Sequence, residues 1–152
     1  MRSKIILLSA CILGASLYAS PGVTSEAHGG VDLVSNMSRL QYFTHKLGLA
    51  VSAGNKELQG YYVHEVEEVV EDLSEIRDFD GIPISDLVNT LLMPKLADVE
   101  RSVKSGDAAA ADGAYEAMLN ACNRCHQTAN RPYIRIERES QTPYLQSFAP
   151  RN

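Results

Sequence analysis

Tryptophan is absent from the 152 residues, and aromatic residues make up only 7% of the chain. Runs of valine, isoleucine and aromatics of the kind that build strands are scarce, so little in the chain would form a sheet. Basic residues are outnumbered, and the formal net charge is −5. That balance disfavours nucleic acid and anionic membrane surfaces as partners. No phosphate-cradling glycine loop, nucleophile constellation, internal repeat or low-complexity tract occurs. Cysteine is also sparse, at three residues. One of them, Cys11, lies in the apolar N-terminal run, which leaves Cys122 and Cys125 as the pair available to a folded domain.

What is present favours helix. Alanine, leucine, glutamate and valine dominate, and the length suits one domain. The first residues resemble an export signal. Arg2 and Lys4 precede a charge-free apolar run from Ile5 to Tyr18, which is short for a membrane-spanning helix. Ser20-Pro21-Gly22 breaks that run, and Ser25-Glu26-Ala27 offers the small residues a signal peptidase checks. Cleavage is expected after Ala27, with Ala19 as second choice, so residues 1–27 are assigned to a signal peptide and the chain to the periplasm. Leu8-Ser9-Ala10-Cys11 also has the outline of a lipobox. Acylation of Cys11 would anchor the chain to a membrane, but the apolar run continues past it. Cleavage after Ala27 makes His28 the first residue, where an amine and an imidazole meet without further ligands in view.

Four helical segments fit the rest. The first runs from about Asp32 to Ala53, with Leu33, Met37, Leu40, Thr44, Leu47 and Val51 on one face. Gly54-Asn55 ends it. The second follows to about Arg77 on a stripe of Leu58, Tyr62, Val66, Val69, Leu73 and Ile76. Its acidic run Glu65, Glu67, Glu68, Glu71 and Asp72 lies mostly off that stripe and suits a solvated face. Val63 and Val70, also off the stripe, suit either a homodimer face or a cover for the C-terminal tail. Asp80-Gly81-Ile82-Pro83 is a turn, and Ser85 is a candidate N-cap for the third helix. Leu92, Leu96, Val99 and Val103 face inward there, and Pro94 should kink or split the helix. Ser105-Gly106 ends it and Asp107 caps the fourth, from about Ala108 to Thr128. Ala108, Ala111, Tyr115, Met118, Cys122 and Cys125 share its buried seam. The expected fold is all-α, an up-down-up-down four-helix bundle over residues 28–130. Residues 131–152, with Pro132, Pro143 and Pro150, form an irregular tail.

Cys122-Asn123-Arg124-Cys125-His126 is the C-x-x-C-H pattern of covalent haem attachment. Residues three and four apart share a helix face, so both thiols and the imidazole can address one porphyrin. Two thioethers fix the ring, and His126 becomes the proximal iron ligand. A thioredoxin-like redox pair would want a βαβ setting, and a zinc site a second ligand pair. A disulfide is the remaining alternative. One haem c is therefore expected.

For the distal side of the iron the candidates are Met37, His45 and His64. In an up-down-up-down bundle the end of the fourth helix lies beside the start of the first, which places Met37 level with His126. His45 and His64 fall off their seams and suit the surface or flank. Met37 fits two roles, an iron ligand or a core methionine packed on the porphyrin. Arg124, Arg131 and Arg135 are candidates to pair with haem propionates, or are simply solvated.

The haem motif near the end of a short four-helix chain resembles the cytochrome c′ family and its Met-ligated low-spin relatives. The chain is also similar to small exported c-type proteins over Met37-Ser38-Arg39-Leu40-Gln41, Lys46-Leu47, His64-Glu65-Val66-Glu67-Glu68, Ala121 to His126 and Tyr133-Ile134-Arg135-Ile136. The resemblance implies haem c, a periplasmic home and Met37 near the distal face. Such relatives often carry a histidine where this chain has Thr44, with His45 one position later. Cytochrome c′ proper tends to place an aromatic shortly after the haem histidine, whereas Gln127-Thr128-Ala129 follows here.

Two functions are compatible with these residues. One is electron transfer with an unidentified redox partner protein. The other is binding of a small gas such as nitric oxide at an open distal site lined by Leu33, Met37 and Leu40. Catalysis is not expected, because no distal His–Arg pair stands on the first helix.

Overall fold

A computed structural model describes residues 32–141 and 146–150. The expected signal segment, with Cys11, Ala19 and Ala27, and His28 beyond it lie outside the described residues. Among the described residues the chain is all-helical and has no strand. No helix among them is long and apolar enough to cross a membrane.

Helix α1 spans Leu33–Ser52, and the Asp32 carboxylate accepts the Val34 N–H at 3.0 Å as its N-cap. Helix α2 spans Lys56–Ser74 and is capped by Asn55, whose side chain accepts from Leu58 N–H at 3.1 Å. Each cap satisfies a donor that the first helical turn leaves unpaired. Gly54 separates these two helices at a φ of 65°.

The third helical stretch is interrupted. Helix α3, Ile84–Leu87, leads into a π turn, Val88–Leu92, and then into helix α4, Met93–Ser105. Pro94 explains the break. It has no N–H to give, and its ring crowds the carbonyl four residues back. The chain widens instead, and Met93 N–H bonds five residues back to Val88 O. Ser85 is not the cap anticipated for this stretch. Its N–H donates to Ile76 O at 2.9 Å, and the helix begins one residue earlier, after Pro83. Gly106, at a φ of 74°, ends α4, and Asp107 caps α5, Ala108–Thr128.

The helices pack as a bundle, with α1 against α2, α4 against α5, α2 against α4, and α1 against α5. The shared core takes Leu40, Leu47, Val66, Val69, Leu73, Leu96, Val99, Tyr115 and Met118. Val63 and Val70 also belong to this core, so they do not present a dimer face. Helix α2 is covered over a wider arc than one stripe, in part by Phe148, whose ring lies 6.2 Å from that of Tyr62.

Residues 131–141 and 146–150 hold no helix. Side chains of the bundle fix them in place. Asn55 donates to the carbonyls of Phe148 and Ala149, both at 3.1 Å. Lys46 and Tyr62 both donate to the Gln146 side-chain oxygen, at 3.0 and 2.6 Å. Arg138 pairs with Asp112 at 2.7 Å and Glu116 at 2.9 Å.

Candidate functional site

A cavity of about 690 Å³ lies among the start of α1, the α2–α3 connection, the end of α5 and residues 131–136. Its volume falls in the range of roughly 300–1,000 Å³ usual for cofactor sites. Cys122, His126 and Met37 all line it, and Leu33 and Leu40 form part of its apolar wall. A small apolar recess adjoins it, sharing Met37, Cys122 and His126 and adding Cys125. The whole expected set therefore meets at one place.

Local structure explains each position. Cys122 and Cys125 lie one turn apart on α5, with Cys122 buried and Cys125 half-buried. Both are free thiols. The Cys125 thiol donates to Leu87 O at 3.6 Å, at the point where the π turn begins. Burial pushes the Cys122 thiol up to about 12, with the nearby Cys125 adding to the effect, and burial also raises Cys125. A redox pair of the thioredoxin kind needs the opposite, a lowered thiol pKa. Among the described residues, no three of His, Cys, Asp and Glu converge as metal ligands, so a zinc site lacks its remaining partners.

His126 stands in the last turn of α5. Its Nδ1 lies 2.9 Å from Ile134 O. A carbonyl can only accept, so Nδ1 carries the proton, and the neutral ring with this tautomer has its lone pair on Nε2. Metal-bound histidines commonly show this arrangement, with the second ring nitrogen donating to a carbonyl or carboxylate. The carbonyl reaches His126 because α5 stops abruptly. Asn130 adopts a φ of 56°, Asn130 N–H bonds to Gln127 O, and Arg131 N–H bonds to His126 O at 2.7 Å. This paired closure is a Schellman turn, and it reverses the chain over the end of the helix.

The rest of the lining comes from three sources. Helix α1 contributes Leu33, Val34, Met37 and Leu40. A tight turn through Asp80 and Gly81, at φ 53° and 78°, pairs Phe79 with Ile82 and brings both to the cavity with Ile84. Residues Tyr133 to Ile136 complete the wall.

Of the three arginines considered for propionates, Arg131 and Arg135 reach the cavity and Arg124 does not. Arg135 also pairs with Glu137 at 2.8 Å on the exposed side. His64 is exposed and lies 3.4 Å from Glu68, as its position off the seam implies. His45 is half-buried and lines an adjoining, more polar cavity of about 460 Å³, which shares Ser38, Gln41, Thr44, Arg135 and Ile136 with the first.

Several lining residues were not anticipated. Phe79, Ile82 and Ile84 lie in or beside a turn, where no periodicity marks them as inward. Comparison with family models, with curated proteins and with solved structures finds no match to this chain.

Proposed function

We propose that this chain is an exported, periplasmic monohaem c-type cytochrome that carries electrons to or from a partner protein. The observation that carries the reading is the single cavity into which Cys122, His126 and Met37 project with Cys125 alongside, and in which the bond from His126 Nδ1 to Ile134 leaves Nε2 available. In this reading Cys122 and Cys125 hold haem c by thioethers. His126 is the proximal iron ligand and Met37 the distal one. Bound haem supplies a one-electron iron couple, tuned by axial ligands, burial and nearby charge.

The chain's own residues do the rest. Leu33, Leu40, Phe79, Ile82 and Ile84 give the ring an apolar bed. Arg131 and Arg135 are placed at the cavity to receive carboxylates, for which a guanidinium fork is suited. The short links at residues 53–55 and 106–107 suit an up-down-up-down order with an irregular tail, as in the cytochrome c′ family and its Met-ligated relatives.

A second reading uses the same wall. With Met37 packed but unbound, the apolar lining of Leu33, Leu40 and Phe79 would admit a small gas to the iron. One experiment separates the two. The full chain is produced with haem-attachment machinery, and visible spectra are recorded in both oxidation states, before and after carbon monoxide. A covalent haem unmoved by carbon monoxide in the wild type, but shifted promptly in Met37→Ala, supports electron transfer with Met37 bound. A prompt shift in the wild type moves the assignment to gas binding. A colourless protein removes both.

A further inference from the structure

We propose that Asn123 is a positioning residue for the iron-ligating His126, acting through the backbone of residues 134–136. The inference rests on the haem assignment above and adds a residue that the attachment pattern leaves unspecified.

Asn123 lies three residues before His126 on α5, so the two side chains leave the same helix face. Its amide pairs with both backbone groups of a single residue. Asn123 Nδ2 donates to Ile136 O at 2.8 Å, and Ile136 N–H donates to Asn123 Oδ1 at 2.7 Å. Two residues earlier, Ile134 O accepts the His126 Nδ1 proton. The same short segment is thus gripped by both side chains.

Little else holds that carbonyl. Ile134 is 43% exposed and Tyr133 76% exposed, so their side chains bury little surface. The Arg135–Glu137 pair is on the solvent side, where an ion pair adds little rigidity. Upstream, the segment is tethered by the turn at Asn130 and by Ile134 N–H to Arg131 O at 3.0 Å. Downstream, the Asn123 amide is the anchor nearest to Ile134. Without it, Ile136 N–H and C=O lose their partners and the segment can lift away. His126 Nδ1–H then exchanges a fixed carbonyl for water.

A carbonyl acceptor on Nδ1–H makes the imidazole a stronger donor to the metal. A stronger donor favours ferric over ferrous iron. Loss of the acceptor should shift the ferric-to-ferrous balance toward ferrous by up to about tenfold, a rise of about 59 mV for a one-electron couple.

The test uses the full chain produced with haem-attachment machinery, as wild type, Asn123→Ala and Asn123→Gln. Midpoint potential and hydrogen exchange at the Ile136 amide are measured, and the iron–histidine stretching frequency is read with and without the Asn123 change in a ferrous Met37→Ala background, where the iron is five-coordinate. Expected are a raised potential, a lowered stretching frequency and faster Ile136 exchange in N123A, with N123Q between the two. If N123A does not retain haem, the same criteria apply to N123Q against wild type. A potential and stretching frequency unchanged by the Asn123 substitution, with haem retained, overturn the proposal. A wild-type chain without covalent haem overturns the haem assignment and this inference with it, an outcome distinct from bound haem at an unchanged potential.

Discussion

Gly48→Ala should destabilise this protein, although the same change in an ordinary helix stabilises it. Gly48 is buried on α1, where Tyr115 of α5 crosses it. A Cβ at position 48 would lie 2.6 Å from the Tyr115 Cζ and 3.0 Å from its Cε1, with the hydroxyl oxygen closer still. The ring cannot yield easily. Tyr115 is 2% exposed, and its hydroxyl donates to Thr44 O at 3.0 Å. Alanine gains about 1 kcal/mol over glycine from helix propensity. Against this, overpacking costs about 1–3 kcal/mol, and losing the hydroxyl bond about 0.5–1.5 kcal/mol more. The net loss is about 0.5–3.5 kcal/mol, or roughly 1–14 °C in Tm at this chain length. Thermal unfolding followed by circular dichroism measures it. Contacting residues are not additive, so a second background sharpens the test. In Tyr115→Leu, which removes the ring, Gly48→Ala should reverse sign and stabilise by up to about 1 kcal/mol. A raised Tm for Gly48→Ala in the wild-type background would refute the close approach of α1 and α5. Those two helices carry Met37 and the attachment motif, so the contact also sets the spacing of the cavity walls.

Two other perturbations follow from described contacts. Glu67 on α2 has its carboxyl raised, first by burial and then by Glu100 on α4. A raised folded-state pKa means that folding favours the protonated form. Its contribution is therefore full below the ordinary carboxylate range and is lost as pH rises through the folded value. Glu67→Gln should stabilise at pH 7 by less than about 1 kcal/mol, and the gain should vanish near about pH 3.5, as read by urea denaturation at both pH values. At Asn130, whose φ of 56° suits glycine, Asn130→Val should cost about 1–3 kcal/mol. Asn130→Gly should equal wild type or exceed it by a few tenths of a kcal/mol, and equal stability in the two variants would count against the left-handed turn.

Local patterns carried much of this architecture. Asp107 is legible as a cap and α5 begins where it stands, while Asp32 and Asn55, read as the start of the first helix and as its end, prove to be the caps of α1 and α2. The C-x-x-C-H spacing of Cys122 to His126 is legible in the sequence alone, and Met37 lines the same cavity as Cys122 and His126. What escaped is non-local. Asn123 and Ile136 are 13 residues apart, and Asn55 and Phe148 are 93 apart. A side chain gripping a remote backbone leaves no periodic trace. Ser85 misled for a related reason. A good capping residue was available, but the chain is already helical from Ile84, after Pro83, and Ser85 lies inside the first turn with its N–H on the Ile76 carbonyl. Val63 and Val70 lay outside a single stripe because α2 is buried over a wider arc than one stripe covers.

The π turn before Pro94 has a consequence for angular phase. Ile84, Val88, Leu92 and Leu96 are all buried, at successive intervals of four. In an uninterrupted α-helix each step of four overshoots a full turn by about 40°, so three steps would rotate Ile84 some 120° away from Leu96. A π turn accommodates one additional residue, which offsets about 100° of that drift. The widened turn thus acts as a clutch between two helical registers. Upstream, it aims Ile84 at the cavity lined by Cys122 and His126, and downstream it aims Leu96 and Val99 at the bundle core. Removing one residue from Val88–Leu92 would disengage the two and swing Ile84 off the cavity wall without altering a single side chain there.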